Sequence, residues 1–198
     1  VGNSGSILLN QRRDNNTSHW LELSTGIDNG FNNIQFDRSR FMAISRQMVA
    51  YSDNGYQWSS VVLNSDVEFR DIVFAGGLYV VVGDGGTIET STSGSGWQVQ
   101  ASGTIERLNA INHGGNRFIA VGANGTILSS SDGSNWQSNV SGVSDNLNQV
   151  VWQNGQFVAV GDNSKVLTSP DGISWTEQTS IDTGNLRSVL FDGNELLL

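Results

Sequence analysis

A tryptophan recurs along this chain at a nearly constant interval. Trp20, Trp58, Trp97, Trp136 and Trp175 stand 38, 39, 39 and 39 residues apart. A fixed period of this length means one structural unit repeated, which constrains the fold more than any composition figure. The frame upstream of each Trp repeats too. It runs through an apolar stretch, a Gly/Asn turn, a second stretch ending in Val-Gly, another turn, a third stretch and a Ser-Asp-Gly phrase. LNQVVWQNGQFVAVGDNSKVLTSPDGISW (147–175) superimposes on LNAINHGGNRFIAVGANGTILSSSDGSNW (108–136) and on FRDIVFAGGLYVVVGDGGTIETSTSGSGW (69–97). FNNIQFDRSRFMAISRQMVAYSDNGYQW (31–58) is a more divergent copy.

Each apolar stretch is about five residues long, too short for a helix and rich in Val, Ile, Phe and Tyr. Pairs such as Asn154-Gly155, Gly76-Gly77 and Asp132-Gly133 separate them, which predicts antiparallel strands joined by tight turns. Four strands in a unit of 39 residues is the period of a propeller blade. Such a unit cannot bury both faces alone and must stack on its neighbours. The expected fold is all-β: a single β-propeller domain of five four-stranded blades.

The blades fall at 29–66, 67–105, 106–144 and 145–184, with 185–198 plus 1–28 as the fifth. The last blade follows from an alignment of NLRSVLFDGNELLL (185–198) with NLNQVVWQNGQFVA (146–159). The next residues of that template, Val160-Gly161, match Val1-Gly2. The ring is thus expected to close by pairing Leu196–Leu198 with the residues after Val1, inside one molecule or across two. The alternative is five repeats of a larger ring.

Composition narrows the function classes. Zero Cys excludes disulfides, thiolate metal sites and Cys nucleophiles. A net charge of −9, with nine Arg and one Lys, argues against nucleic acid and anionic membrane surfaces, since phosphate neutralisation needs clustered cations. No run approaches the roughly 18 apolar residues of a membrane span, so no membrane insertion is expected. No leader or lipidation motif stands at Val1, so either export is not used or a leader has been removed. The Asn/Gly/Ser-rich, Lys-poor surface suits an extracellular or periplasmic protein.

The phrase before each Trp has a structural use. It reads Ser169-x-Asp171-Gly172-x-x-Trp175, Ser130-x-Asp132-Gly133-x-x-Trp136, Ser52-x-Asn54-Gly55-x-x-Trp58 and Ser91-x-Ser93-Gly94-x-x-Trp97. Asp, Asn or Ser accepts backbone N–H bonds within the turn, Gly supplies positive φ, and Trp packs between units. The phrase resembles the Asp-box, or BNR, turn of sialidase-like propellers, which spaces Ser-x-Asp-x-Gly-x-x-Trp, one residue longer. The fuller stretch FVAVGDNSKVLTSPDGISW is similar to bacterial repeats related to photosystem II assembly-factor propellers. Both resemblances imply a turn on the outer part of the blade, away from the ligand-binding face.

No catalytic set emerges. The arginine triad, Tyr/Glu pair and six blades that a sialidase resemblance implies are not matched. A carboxylate-pair glycosidase would have to draw on Asp66, Glu68, Asp71, Glu106 and Asp145, near the starts of the inner strands. His113, in the hairpin turn NHGG, has no nucleophile partner. Neither a metal nor a cofactor is expected, and the protein is read as not an enzyme. Variation is concentrated where the inner strands open. There Asn32, Arg70, Asn109, Asn148 and Arg187 occupy one polar position around the ring, with Arg107 beside it. Arg and Asn at a central mouth bind carboxylates, sugar hydroxyls or backbone amides, or else satisfy one another around water. Asp28, Asp66, Glu68, Glu106, Asp145 and Asp182 form an acidic rim. Phe36, Phe74, Trp152 and Phe191 end the inner strands on the opposite side and read as core. The expected function is a non-catalytic scaffold docking a protein or peptide at the mouth. A lectin-like, carbohydrate-binding propeller is the alternative.

Overall fold

The computed structural model describes residues 6–12, 18–25, 30–37, 39–179, 184–191 and 196–197. Among them, two strands near the N-terminus pair as a hairpin, β1 (Ser6–Arg12) with β2 (Ser18–Ser24). Four antiparallel four-stranded sheets follow, each a simple meander. The first comprises β3 (Phe31–Phe36), β4 (Phe41–Ser45), β5 (Met48–Ser52) and β6 (Ser59–Val62). The second comprises β7 (Phe69–Ala75), β8 (Leu78–Gly83), β9 (Ile88–Ser91) and β10 (Gln98–Gln100). The third comprises β11 (Leu108–Gly114), β12 (Arg117–Gly122), β13 (Ile127–Ser130) and β14 (Gln137–Asn139). The fourth comprises β15 (Leu147–Gln153), β16 (Gln156–Gly161), β17 (Val166–Ser169) and β18 (Thr176–Gln178). A last pair joins β19 (Leu190–Phe191) to β20 (Leu196–Leu197).

The second strand of each sheet is buried on both faces, which is why it reads as a continuous apolar run. Val80, Val81 and Val82 are fully buried, as are Val158, Ala159 and Val160. The partners come from neighbouring sheets. Met42 and Ile44 of the first sheet pack with Phe69, Ile72 and Val81 of the second. Val80 and Val82 pack with Leu108, Ile111 and Phe118, and Ile119 and Val121 with Leu147, Val150 and Phe157. Leu186 and Val189 continue the series against the fourth sheet, and Ile7 of β1 packs against Phe31 and Ala43 of the first. The fourth strands are short, polar and exposed, so they offer little template for edge pairing.

The Val-Gly that closes the second strand of the last three sheets is required by a close approach. A Cβ on Gly83, Gly122 or Gly161 would lie 2.5, 2.0 or 2.2 Å from the carbonyl oxygen of Glu68, Arg107 or Asn146. Those carbonyls accept the N–H of the next residue, Asp84, Ala123 or Asp162, at 3.0, 2.8 and 2.8 Å. The three turns that follow, Asp84–Gly86, Ala123–Gly125 and Asp162–Ser164, are thereby pinned beside the openings of the inner strands.

The Ser-Asp-Gly-Trp phrase closes on itself. Gly55, Gly94, Gly133 and Gly172 donate N–H bonds of 2.8–2.9 Å to the hydroxyls of Ser52, Ser91, Ser130 and Ser169. Asn54, Asp132 and Asp171 each accept the amides two and three residues on through Oδ1. The N–H groups of Asn135 and Ser134, with the Asn135 side chain, hold the Asp132 carboxyl well below the usual carboxylate range. In the second sheet Ser93 takes that place and accepts only from Ser95, at 3.3 Å. The indoles of Trp58, Trp97, Trp136 and Trp175 donate back to the glycine carbonyls at 3.0, 3.1, 2.9 and 3.3 Å. The phrases of the last three sheets also meet the preceding sheet. A Cβ on Gly133 would strike Leu78, and one on Gly172 would strike Ile119, both at 2.5 Å.

The expected pairing of 196–198 with the residues after Val1, the rim acids Asp28 and Asp182, and the side chains of Trp20 and Phe191 lie outside the described residues. His113, expected in a hairpin turn, is instead the last residue but one of β11, paired with Phe118. Phe74 and Trp152 are partly buried against the core, as expected. Phe36 is 53% exposed and is not core. It ends the inner strand of the first sheet, where Phe41 is its ring neighbour at 4.6 Å.

Ser130→Ala removes the acceptor for the amides of Asp132 and Gly133 at a position 2% exposed. It lowers stability by about 1–3 kcal/mol in urea unfolding followed by Trp fluorescence. The exposed neighbour Ser134→Ala shifts the midpoint by the equivalent of less than about 0.5 kcal/mol.

Candidate functional site

Each inner strand opens with a β-bulge. Phe31 pairs with Ser45 and Asn33 with Ile44, which leaves Asn32 unpaired between them. The same skip leaves Arg70, Asn109 and Asn148 unpaired in the next three sheets. A bulge turns its extra side chain out of the alternation of the strand. Hence Phe69, Leu108 and Leu147 can be fully buried while the next residue faces the mouth. Asn32, Arg70, Asn109, Asn148 and Arg187 together line one cavity of about 290 Å³. Arg107, expected beside them, is not part of that lining. Its Nε donates to Asn109 Oδ1 at 2.8 Å.

The three asparagines have a second task. Asn32 Nδ2 donates to Phe69 O at 2.6 Å, Asn109 Nδ2 to Leu147 O at 2.8 Å, and Asn148 Nδ2 to Leu186 O at 2.9 Å. Each carboxamide therefore latches its own sheet to the opening residue of the next. Further down the strands, Gln35 Oε1 accepts from Phe74 N and Asn112 Oδ1 from Trp152 N, in the same sense. No signal in the single sequence set these residues apart as latches; only their spacing of one repeat to the acceptor does so.

The arginines differ. Arg70 Nε donates to Asp84 Oδ1 at 2.7 Å, with Glu68 at 3.8 Å from a terminal nitrogen. Among the described residues Arg187 makes no direct hydrogen bond or ion pair. Asp162 accepts from Asn148 and Asn146, both at 2.9 Å. These bonds hold its carboxyl below the ordinary value, with a smaller contribution from the positive charges of Arg187 and Arg107. Asp84 and Asp162 are not among the residues expected at the mouth. Their signal was the residue after Val-Gly, acidic in the second and fourth repeats and Ala123 in the third.

The acidic rim is partly neutralised. Glu106 accepts from Asn124 at 2.9 Å, and Asp145 from Asn163 at 2.6 Å with Lys165 at 4.0 Å. Among the described residues, no three His, Asp or Glu side chains cluster to hold a metal ion. Asp71, one of the carboxylates a glycosidase would draw on, is buried within the second sheet. Its carboxylate accepts N–H bonds from Ile72 and Ile111, both at 2.8 Å, and from the Asn33 carboxamide, so it ties three consecutive sheets together. Burial pushes its pKa up to about 7 despite those three bonds.

These repeated sheets, latched side by side around the openings of their inner strands, define the class: the fold is that of a β-propeller, and each sheet is a blade. No protein-family model matches the chain, and no curated protein matches it in sequence. Among solved structures, YCF48 bound to a D1 peptide superimposes with a TM-score of 0.66 at 18% identity, over 96% of this chain and 64% of that one. Sqt1 of Saccharomyces cerevisiae gives 0.74 at 11%, over 98% and 62%. The WD40 β-propeller domain of Doa1 gives 0.64 at 12%, over 82% and 58%. The chain thus spans about three fifths of each of these structures, and at such identities the likeness establishes the fold alone.

Asn148→Ala removes a latch and a partner of Asp162, and costs about 1–3 kcal/mol in chemical denaturation. Arg187→Ala shifts stability by less than about 0.5 kcal/mol. The Asp71 linkage has a definite sign. Between about pH 4 and 7 the unfolded chain releases this proton and the folded chain keeps it, so stability falls as pH rises through that window. The slope is at most about 1.4 kcal/mol per pH unit. Denaturation of wild type and Asp71→Asn at matched pH isolates this contribution: the wild type loses stability relative to the variant from pH 4 to 7, and the difference is flat above.

Proposed function

We propose that this chain is a non-catalytic docking scaffold whose mouth binds an extended segment of a protein or peptide partner. One observation carries the reading: the mouth is asymmetric. Of its five described lining side chains three are amides latched to neighbouring blades, while Arg70 is only partly paired and Arg187 is uncommitted among the described residues. Free forked donors are therefore concentrated on two positions, suited to the carbonyls or carboxylate of one polar ligand. A repeated lectin would offer the same group in every blade. The lining residues also carry no aromatic ring for a sugar face, which favours the peptide reading at this site.

That a protein of the same fold, YCF48, has been solved with a D1 peptide bound supports the reading. The strand pairs near the ends fit one further blade. In the repeat alignment β19 and β20 correspond to the first two strands, and β1 and β2 to the last two. In this proposal they close a five-bladed ring. The composition suits an exported protein, so the partner is sought outside the cytoplasm.

The test is a displayed library of unstructured peptides selected on the wild type, with affinities read by fluorescence anisotropy. Enriched peptides lose at least tenfold in affinity in the Arg70→Ala/Arg187→Ala double variant. Peptides that bind the double variant equally, or no enrichment at all, overturn the proposal.

A further inference from the structure

A second, larger cavity of about 540 Å³ lies at the other end of the inner strands, between the first three blades. It is four residues further along those strands than the mouth, about 13 Å at about 3.3 Å per residue. Its opening has a local cause. In the fourth blade Trp152 lies over the hairpin tip of the third; a Cβ on Gly114 would be 1.9 Å from that indole. His113 holds the equivalent place in the third blade, with a smaller ring turned edge-on to Phe118 at 4.6 Å. The tip it faces is Gly76-Gly77, two left-handed glycines with nothing within 4 Å of where a Cβ would stand. A small ring over a tip without side chains leaves the gap.

The groups around the gap have a definite hydrogen-bonding character. Gln35 and Asn112 each give their carboxamide oxygen to a backbone N–H of the next blade. Their amino groups remain as donors. Burial lowers the pKa of His113, so at neutral pH it is an uncharged imidazole with one donor and one acceptor. Asp37 accepts from Ser39 and Arg40 through Oδ1 and from the Tyr79 hydroxyl through Oδ2, which keeps one further lone pair. Among the described residues no Lys or Arg lines the cavity. The wall includes Phe74 and the half-exposed Phe36.

We infer that this cleft is a binding site for a neutral saccharide. A sugar ring presents an apolar C–H face, which lies against an aromatic ring, and an edge of hydroxyls, each both donor and acceptor. Phe36 supplies the ring, Gln35 and Asn112 the donors, His113 and Asp37 the acceptors. The volume lies within the usual range for small-ligand pockets, about 300–1,000 Å³. Without a cation the cleft does not select an anion. An extended peptide would leave most of its own N–H donors without an acceptor.

The experiment is saturation-transfer NMR on the intact chain with glucose, galactose, mannose, N-acetylglucosamine and cellobiose. At least one sugar takes up saturation at its ring protons. Its affinity falls at least tenfold in Phe36→Ala, which truncates an exposed ring, and in His113→Ala, which removes an acceptor from the cleft. It is unchanged in Arg70→Ala/Arg187→Ala. Absence of transfer from every sugar overturns the assignment, as does a signal that survives both cleft variants or is lost only in the arginine variant. So does a displayed peptide that binds the wild type and is lost in Phe36→Ala, which would make the cleft a peptide site. Because the peptide selection at the mouth reads the arginines and this one reads Phe36 and His113, either proposal can fail without the other.

Discussion

Each repeat has two apolar faces and only one sheet, so it cannot bury itself; every other feature of the molecule answers to that constraint. The second strands are apolar on both sides because a neighbour covers each side, and the core is a series of layers between sheets. Layers of apolar side chains are non-directional and would tolerate sliding. Register comes from polar devices that are directional. The carboxamides of Asn32, Asn109 and Asn148 reach a backbone carbonyl of the next blade, while Gln35 and Asn112 reach a backbone amide. Gly94, Gly133 and Gly172 of these turns each fit against the blade before.

In the proposed reading, binding depends on where the latching lapses. One position of the repeat supplies both the latches and the mouth, and in the four sheets a bulge turns that side chain inward. An Asn there can spend its donors on the neighbouring backbone. Arg70 instead turns to its own blade and Asp84, and Arg187 is left without a direct partner among the described residues. The lower cleft follows the same logic, since it is open where a His replaces the Trp that seals the next interval. In both places a repeated structural position gains chemistry by departing from its repeat.

The fold was largely legible in the sequence. The Trp interval, the apolar runs and the Asn-Gly and Gly-Gly turns specify the four-stranded unit, and the polar position shared by Asn32, Arg70, Asn109, Asn148 and Arg187 could be read from the repeat alignment. Those signals are local or strictly periodic. What could not be read was contact between repeats. Asp71 reads as one more carboxylate near the start of an inner strand, yet it is a buried tie among three blades. Phe36 reads as core, yet it is half exposed, because hydrophobicity alone does not say whether a neighbour is present to cover a ring.

By itself, then, the sequence determined the unit, its period, its turns and the residues that stand at the mouth, because backbone propensity and alternation act over a few residues. Only the tertiary structure decided which amides are latches, which arginine is left without a partner among the described residues, and where a gap stays open. Those outcomes depend on side chains about 39 residues apart meeting across an interface, and the size of a ring on one blade matters there only through the tip it faces on the next.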